Sequence, residues 1–435
     1  RYECPFLDDL EMFAVGVSDA LVCFHKIKKH MRNLNWSYAS MVSSCIRERL
    51  IITPSILFVA GTPFQILISY IISRYIAGGK DCYLVSACLN HNANKMASRL
   101  RGFRDVKIID REVGAANLNN FFRVRHNATT AKKVFKECKP KTLILFKDGS
   151  PLESSFIDRA KAINTRIVLV EEGLAIYSED QRDATRFTCK LKKYLKKIIG
   201  YPATYPGVGN NNSVHLISAF KIEMLPKSKT INKILVPFPT VPPANEVFDS
   251  FVNGLGLLEC QGQGYYQKAS YKILYLGQPL SELGIISRQR ERDFLEILFQ
   301  RIKRISMEVI VKPHPWEHIS KYADFGLAVH KNNYIPAEIV AYNTRPSIII
   351  TPYSSAGTTT AEWFGTRSIF LYHLLDIELE KRIRTLLLDR TGFSHAPSSW
   401  DDFSLFLKNG LVKQEQRIYA STETYIKYVK DIIGE

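Results

Sequence analysis

The chain lacks an apolar run long enough to cross a membrane. Its best candidate, residues 66–77, falls short of the ~18 residues a spanning helix needs and is interrupted by Arg74. It also lacks a C-x-x-C pair. The eight cysteines, at positions 4, 23, 45, 82, 88, 138, 189 and 260, are scattered. That excludes a zinc ribbon and a thioredoxin motif, and it suits a reducing cytoplasm. No G-x-x-x-x-G-K-[ST] loop is present, and Gly254-Leu255-Gly256 lacks the third glycine of a dinucleotide fingerprint. No Asp-x-Asp closes a strand, as a metal-bound diphosphate would usually require, and no fixed-period repeat is visible. Residues 1–21 carry Glu3, Asp8, Asp9 and Glu11 where a signal peptide is basic, so none is expected. The chain starts at arginine, which points to a fragment or a processed form.

What is present suits a large globular protein. At roughly 150 residues per domain, 435 residues imply two or three domains. The net charge of +17 favours polyanions as partners, whether nucleic acid, anionic lipid or acidic polysaccharide. Residues 1–53 read as a helical extension with a basic patch around Lys26, Lys28 and Lys29. A regular pattern then begins. The apolar run Ile56-Leu57-Phe58-Val59-Ala60 ends in Gly61-Thr62-Pro63, and an apolar helix follows from Phe64. Similar runs occur at 82–87, 106–109, 142–146 and 167–170, mostly separated by helical stretches. Apolar strands alternating with helices predict a parallel sheet covered on both faces.

The pattern breaks after about residue 200. The proline-rich stretch 236–243 fits neither a helix nor a central strand, because each proline lacks an N–H donor. A second alternating set follows at 272–276, 308–311, 347–351 and 368–372. The resulting division is a helical extension at 1–53, a Rossmann-like half at 54–235, a linker region at 236–270 and a second Rossmann-like half at 271–435.

Three strand ends carry the candidate chemistry. Ile167-Val168-Leu169-Val170 runs into Glu171-Glu172-Gly173. In open α/β sheets, ligands bind at the carboxyl ends of strands, where a partly desolvated carboxylate can serve as a general base. By itself, this pair reads more simply as two solvated loop acids. Glu308-Val309-Ile310-Val311-Lys312 ends in Pro313-His314-Pro315. The prolines fix the backbone around His314, and a rigid imidazole there suits donation to a phosphate. His318 lies four residues on, but Pro315 disfavours an established helix and no third ligand is evident, so a metal pair is set aside. The run 347–351 leads into Tyr353-Ser354-Ser355 and then a helix, a seat for phosphate or simply an N-cap. Glu338 sits between the last two features, in a helix first turn, where it could accept from a ribose diol.

In combination, these residues resemble GT-B sialyltransferases of bacteria, in particular capsule polysialyltransferases and the related family 52 sialyltransferases. The matching motifs are the acidic pair with Gly173, His314-Pro315, and Ser354-Ser355. Ala60-Gly61-Thr62-Pro63-Phe64-Gln65 and Gly277-Gln278-Pro279-Leu280 are similar to elements of family 52. The likeness spans roughly residues 54–365 and implies an inverting transfer of sialic acid from CMP-sialic acid, across a cleft between two Rossmann-like domains. It implies Glu172 as general base and His314 as the group that hydrogen-bonds or protonates the departing CMP phosphate. Ser354 and Ser355 would bind that phosphate, and Glu338 would hold the ribose. Lys312, Pro315 and Tyr353 would complete the donor site, with Glu171, Gly173, Thr62 and Gln65 lining the acceptor side or the cleft. No metal or other cofactor is expected, because CMP carries a single phosphate.

The implied partners are a CMP-sugar and an acidic or neutral glycan acceptor. A basic helix at 188–200, with Lys190, Lys192, Lys193, Lys196 and Lys197, would touch anionic lipid. The expected location is the cytoplasm, peripheral to the inner face of the plasma membrane. Two other classes compete. One is a CDP-alditol phosphotransferase of the teichoic-acid type, which shares a His-Pro element and a Tyr-Ser-Ser. The other is a nucleic-acid binder, supported by the charge but by no recognisable motif; no nucleic-acid partner is expected.

Overall fold

The computed structural model describes residues 55–76, 81–111, 118–179, 207–255, 272–305, 307–389, 394–409 and 421–435. The extension 1–53 and the basic helix expected at 188–200 lie outside these residues. From residue 54 onward the chain forms one compact unit built on two sheets.

The first sheet holds β1 (Ser55–Ala60), β2 (Cys82–Ser86), β3 (Asp105–Ile108), β4 (Pro140–Leu145), β5 (Arg166–Val170), β6 (Leu216–Ala219) and β7 (Ile234–Pro237). Helices α1 (Pro63–Arg74), α2 (His91–Arg99), α3 (Leu118–Cys138) and α4 (Pro151–Ala162) connect its first five strands. Helix α5 (Asn245–Gly254) leads to the second sheet, formed by β8 (Ile273–Leu276), β9 (Val309–Lys312), β10 (Ala328–Val329), β11 (Ile348–Thr351), β12 (Arg367–Phe370) and β13 (Ser394–His395). Its helices are α6 (Arg288–Lys303), α7 (Ala337–Thr344), α8 (Ser355–Phe364), α9 (Lys381–Asp389) and α10 (Trp400–Asn409). Helix α11 (Thr422–Ile433) ends the chain.

Every strand pair is parallel. The orders are β3-β2-β1-β4-β5-β6-β7 and β10-β9-β8-β11-β12-β13. Each order reverses at its first strand, so each sheet opens a crevice at the carboxyl ends of β1 and β4 or of β8 and β11. The apolar runs are strands because they are buried on both faces: all six residues of β1 and all four of β11 are buried.

Strands β6 and β7 extend the first sheet beyond the point where the sequence pattern breaks. Four residues apiece carry too little periodicity to stand out. Pro237 ends β7 at the sheet edge, where a missing N–H leaves no inner ladder bond unmade.

Among the described residues, helices α5 and α11 are two of the elements that join the halves. Tyr70 of α1 packs edge-on against Phe251 of α5, and Phe248 of α5 stacks on Tyr342 of α7. Helix α11 is the exception to a division at residue 271. Its Tyr428 hydroxyl bonds Ser218 of β6 at 2.9 Å, and its Tyr425 stacks on Tyr75 beyond α1. Buried apolar residues of both sheets therefore share one continuous core.

Candidate active site

Loops from the carboxyl ends of both sheets enclose a cleft of about 740 Å³. Thr62, Glu172, Lys312, His314, Pro315, Glu338, Tyr353, Ser354 and Ser355 all line it. They come from the ends of β1, β5, β9 and β11 and the first turn of α7, which bracket the two crevices.

Glu172 follows β5. Its Oε1 meets Lys147 Nζ at 2.7 Å, and its buried Oε2 has no hydrogen-bond partner among the described residues. Burial pushes its carboxyl above the ordinary range, while the charges of Lys147 and Arg111 pull against that shift. Glu172 is thus a desolvated carboxyl group with one oxygen held by Lys147 and the other buried without a partner among the described residues. Lys147 and Arg111, both in the cleft wall, were not among the residues read from sequence. Lys147 lies just beyond β4, so the strand-end rule that found Glu172 applies to it as well. Arg111 packs against Gly61, where a Cβ would overlap its guanidinium. Its Nη2 meets Glu153 at 2.9 Å.

Glu171 does not line the cleft. It is buried, and its Oε2 accepts from the Tyr177 hydroxyl and from Phe220 N–H. Successive side chains alternate across a strand and its extension, so only one acid of the pair can face the cleft. Gln65 is a second correction. It is buried in the first turn of α1, where its Oε1 accepts from Gly61 N–H and its own N–H donates to the capping Thr62 hydroxyl at 3.2 Å. Gly173 is not in the cleft wall either. It lies where the halves meet, and a Cβ there would stand 2.8 Å from Ser355 Oγ.

His314 is held from both sides. Its backbone N–H donates to Glu317 Oε2 at 2.6 Å, and Trp316 N–H donates to its Nδ1 at 3.2 Å. Nδ1 is therefore an acceptor, and the ring proton sits on Nε2. Burial, with the charges of Lys312 and Lys321, lowers the ring pKa to about 4, so His314 is neutral at pH 7. Lys312 ends β9, and its Nζ donates to the Pro313 and Asn333 carbonyls at 2.7 and 2.8 Å. Burial lowers its pKa to about 7, against the charges of Glu317 and Glu338.

Ser354 caps α8 through a bond from Ala356 N–H at 3.3 Å, and Ser355 opens the helix. Tyr353 N–H donates to Gln278 Oε1 at 2.7 Å, which ties this turn to the loop after β8. Glu338 is buried in the first turn of α7. His318 is exposed and does not line the cleft.

A family model described as Alpha-2,8-polysialyltransferase (POLYST) matches residues 56–373, most of the chain. The chain belongs to this family. It is accordingly a sialyltransferase, acting with a nucleotide-sugar donor and a glycan acceptor. Among solved structures, the polysialyltransferase-family chain is similar to UDP-GlcNAc 2-epimerase from Methanocaldococcus jannaschii. The TM-score is 0.52 at 14% identity, over 88% of this chain and 100% of that one. The S. aureus MnaA-UDP co-structure gives a TM-score of 0.50 at 11% identity, over 88% and 98%. These likenesses show the fold alone: two Rossmann-like domains of the GT-B type. No curated protein sequence matches the chain.

Proposed function

We propose that this sialyltransferase uses CMP-sialic acid and transfers sialic acid, with inversion, to a hydroxyl of a capsule polysaccharide or lipooligosaccharide. The observation that carries the reading is one cleft in which Glu172 of the first half shares a wall with His314, Ser354, Ser355 and Glu338 of the second. Glu172 Oε2 takes the acceptor hydroxyl proton as that oxygen attacks the anomeric carbon. The bond to the phosphate oxygen breaks, and its electron pair leaves with CMP. Attack on the face opposite the phosphate inverts the centre. Lys147 favours the ionised form of Glu172 and so keeps the base ready.

His314 donates Nε2–H to the phosphate. As a neutral ring it stabilises the leaving group by a hydrogen bond rather than by giving up a proton. The serine hydroxyls and the N-terminus of α8 add donors, and Glu338 accepts from the ribose diol. A single phosphate met by these donors needs no divalent cation, so transfer is expected to continue in EDTA. Placement in the cytoplasm at the inner membrane face, through basic residues 188–200, belongs to the same proposal. No helix among the described residues is long and apolar enough to cross a membrane.

The test is donor hydrolysis in EDTA with CMP-sialic acid, CDP-glycerol and UDP-GlcNAc. CMP release from the first substrate alone is expected. Turnover of CDP-glycerol with CMP-sialic acid untouched would replace this reading with phosphoryl transfer.

A further inference from the structure

The charged cleft carries an apolar ledge that the chemistry above does not use. Among the described residues, twelve large hydrophobic side chains are exposed, and four of them line this one cleft. Trp316 is 52% exposed, Leu283 54% and Ile285 42%, all from the second half; Leu89, 42% exposed, comes from the first. Leaving such groups in water costs free energy that a ligand would recover by covering them.

The ledge is braced. Lys321 Nζ reaches Glu317 at 2.7 Å in the Trp316 loop, Glu282 at 3.3 Å in the Leu283 loop, and Glu291 at 2.5 Å on α6. Tyr322 hydroxyl also donates to Glu317, and Gly277 lies so close that a Cβ there would overlap the Glu317 carboxylate. Buried charges are expensive to maintain unless they are mutually satisfied. Here they fix the two apolar loops relative to each other and to His314. The Trp316 ring lies 6.0 Å from the His314 ring, nearly perpendicular to it.

We propose that Trp316, with Leu283 and Ile285, is the subsite for the transferred sugar, taking the apolar C–H face and N-acyl methyl of the sialyl group. The inference rests on the donor reading: if His314 meets the phosphate, the sugar bonded to that phosphate must begin beside the imidazole, within reach of the indole. An aromatic face suits the C–H side of a sugar ring, while the donors around it meet the phosphate.

The experiment compares CMP with transfer-resistant 3-fluoro-CMP-sialic acid by calorimetry on the full chain. Trp316→Ala should leave CMP affinity unchanged and weaken the CMP-sugar about tenfold, the effect of returning roughly 50 Å² of apolar contact to water. Trp316→Phe should recover most of the loss. Retained CMP binding shows that the variants are folded. Equal weakening of both ligands would make Trp316 a nucleotide contact and overturn the proposal. Unchanged affinity for both would remove the ledge from the donor site and overturn it as well. Wild-type protein that binds neither ligand would sink the donor reading itself, and the sugar subsite with it.

Discussion

At the scale of single residues, Glu171 and Glu172 are adjacent in sequence and opposite in environment. Glu172→Gln keeps size and hydrogen-bonding capacity but cannot accept a proton. Transfer should fall by about 10²–10⁴-fold while CMP affinity and melting temperature hold. Glu171→Gln should do the reverse: its buried Oε2 serves Tyr177 and Phe220, so the melting temperature should drop while turnover per folded molecule stays near normal. Steady-state kinetics paired with thermal melts would decide the matter, and a dead Glu171→Gln would shift the base by one residue. Lys147 supplies a pH test. A nearby cation favours the carboxylate and so lowers the Glu172 pKa; Lys147→Met removes that pull. The acid limb of kcat/KM should then move to higher pH. A limb that does not move would mean that Glu172 is not the group that titrates.

At the scale of elements, the N-terminus of α8 meets the extension of β5 at Gly173. Gly173→Ala would put a methyl 2.8 Å from Ser355 Oγ, which must turn or shift. Weaker CMP binding with the fold intact is expected, measured by calorimetry. Ser354→Ala with Ser355→Ala should also weaken CMP, at about 1.5–3 kcal/mol per lost bond to a charged group at most. Because Ser354 caps the helix, the double variant should lose about 1 kcal/mol of stability too. Unchanged CMP affinity in both experiments would take this helix out of the phosphate site.

At the scale of the whole molecule, burial in the second half makes stability depend on pH. His314 and His330 both have pKa values lowered to about 4, below the ordinary 6.5. Between those values the unfolded chain binds protons that the folded chain refuses, so stability from these rings is lost as pH falls from 6.5 toward 4. Glu172, with its raised pKa, acts in the opposite sense, so the comparison must be made by difference. His314→Gln should show a flatter fall in melting temperature across that window than the wild type. Parallel curves would place the folded-state pKa of His314 near its ordinary value.

The alternation of apolar runs with helices was enough to reveal two parallel α/β halves, because a strand buried on both faces must be apolar throughout. Glu172, His314, Glu338 and Ser354-Ser355 were legible because each follows a strand or opens a helix, a position the sequence marks directly. Strands β6 and β7 were hidden by their four-residue length, and β7 also by Pro237, which suits an edge. Helix α11 could not be assigned to the first sheet, since its amphipathic pattern says that it packs and not against what. Lys147, just beyond β4, was open to the same strand-end rule; the side that Glu171 faces, the insertion of Arg111 into the wall, and the burial of Gln65 were tertiary decisions. So was the brace of Glu282, Glu291 and Glu317 on Lys321. The physical reason is common to all of them. Local sequence sets which groups end a strand, whereas contacts between residues tens to hundreds of positions apart set which of those groups lose water and face one another.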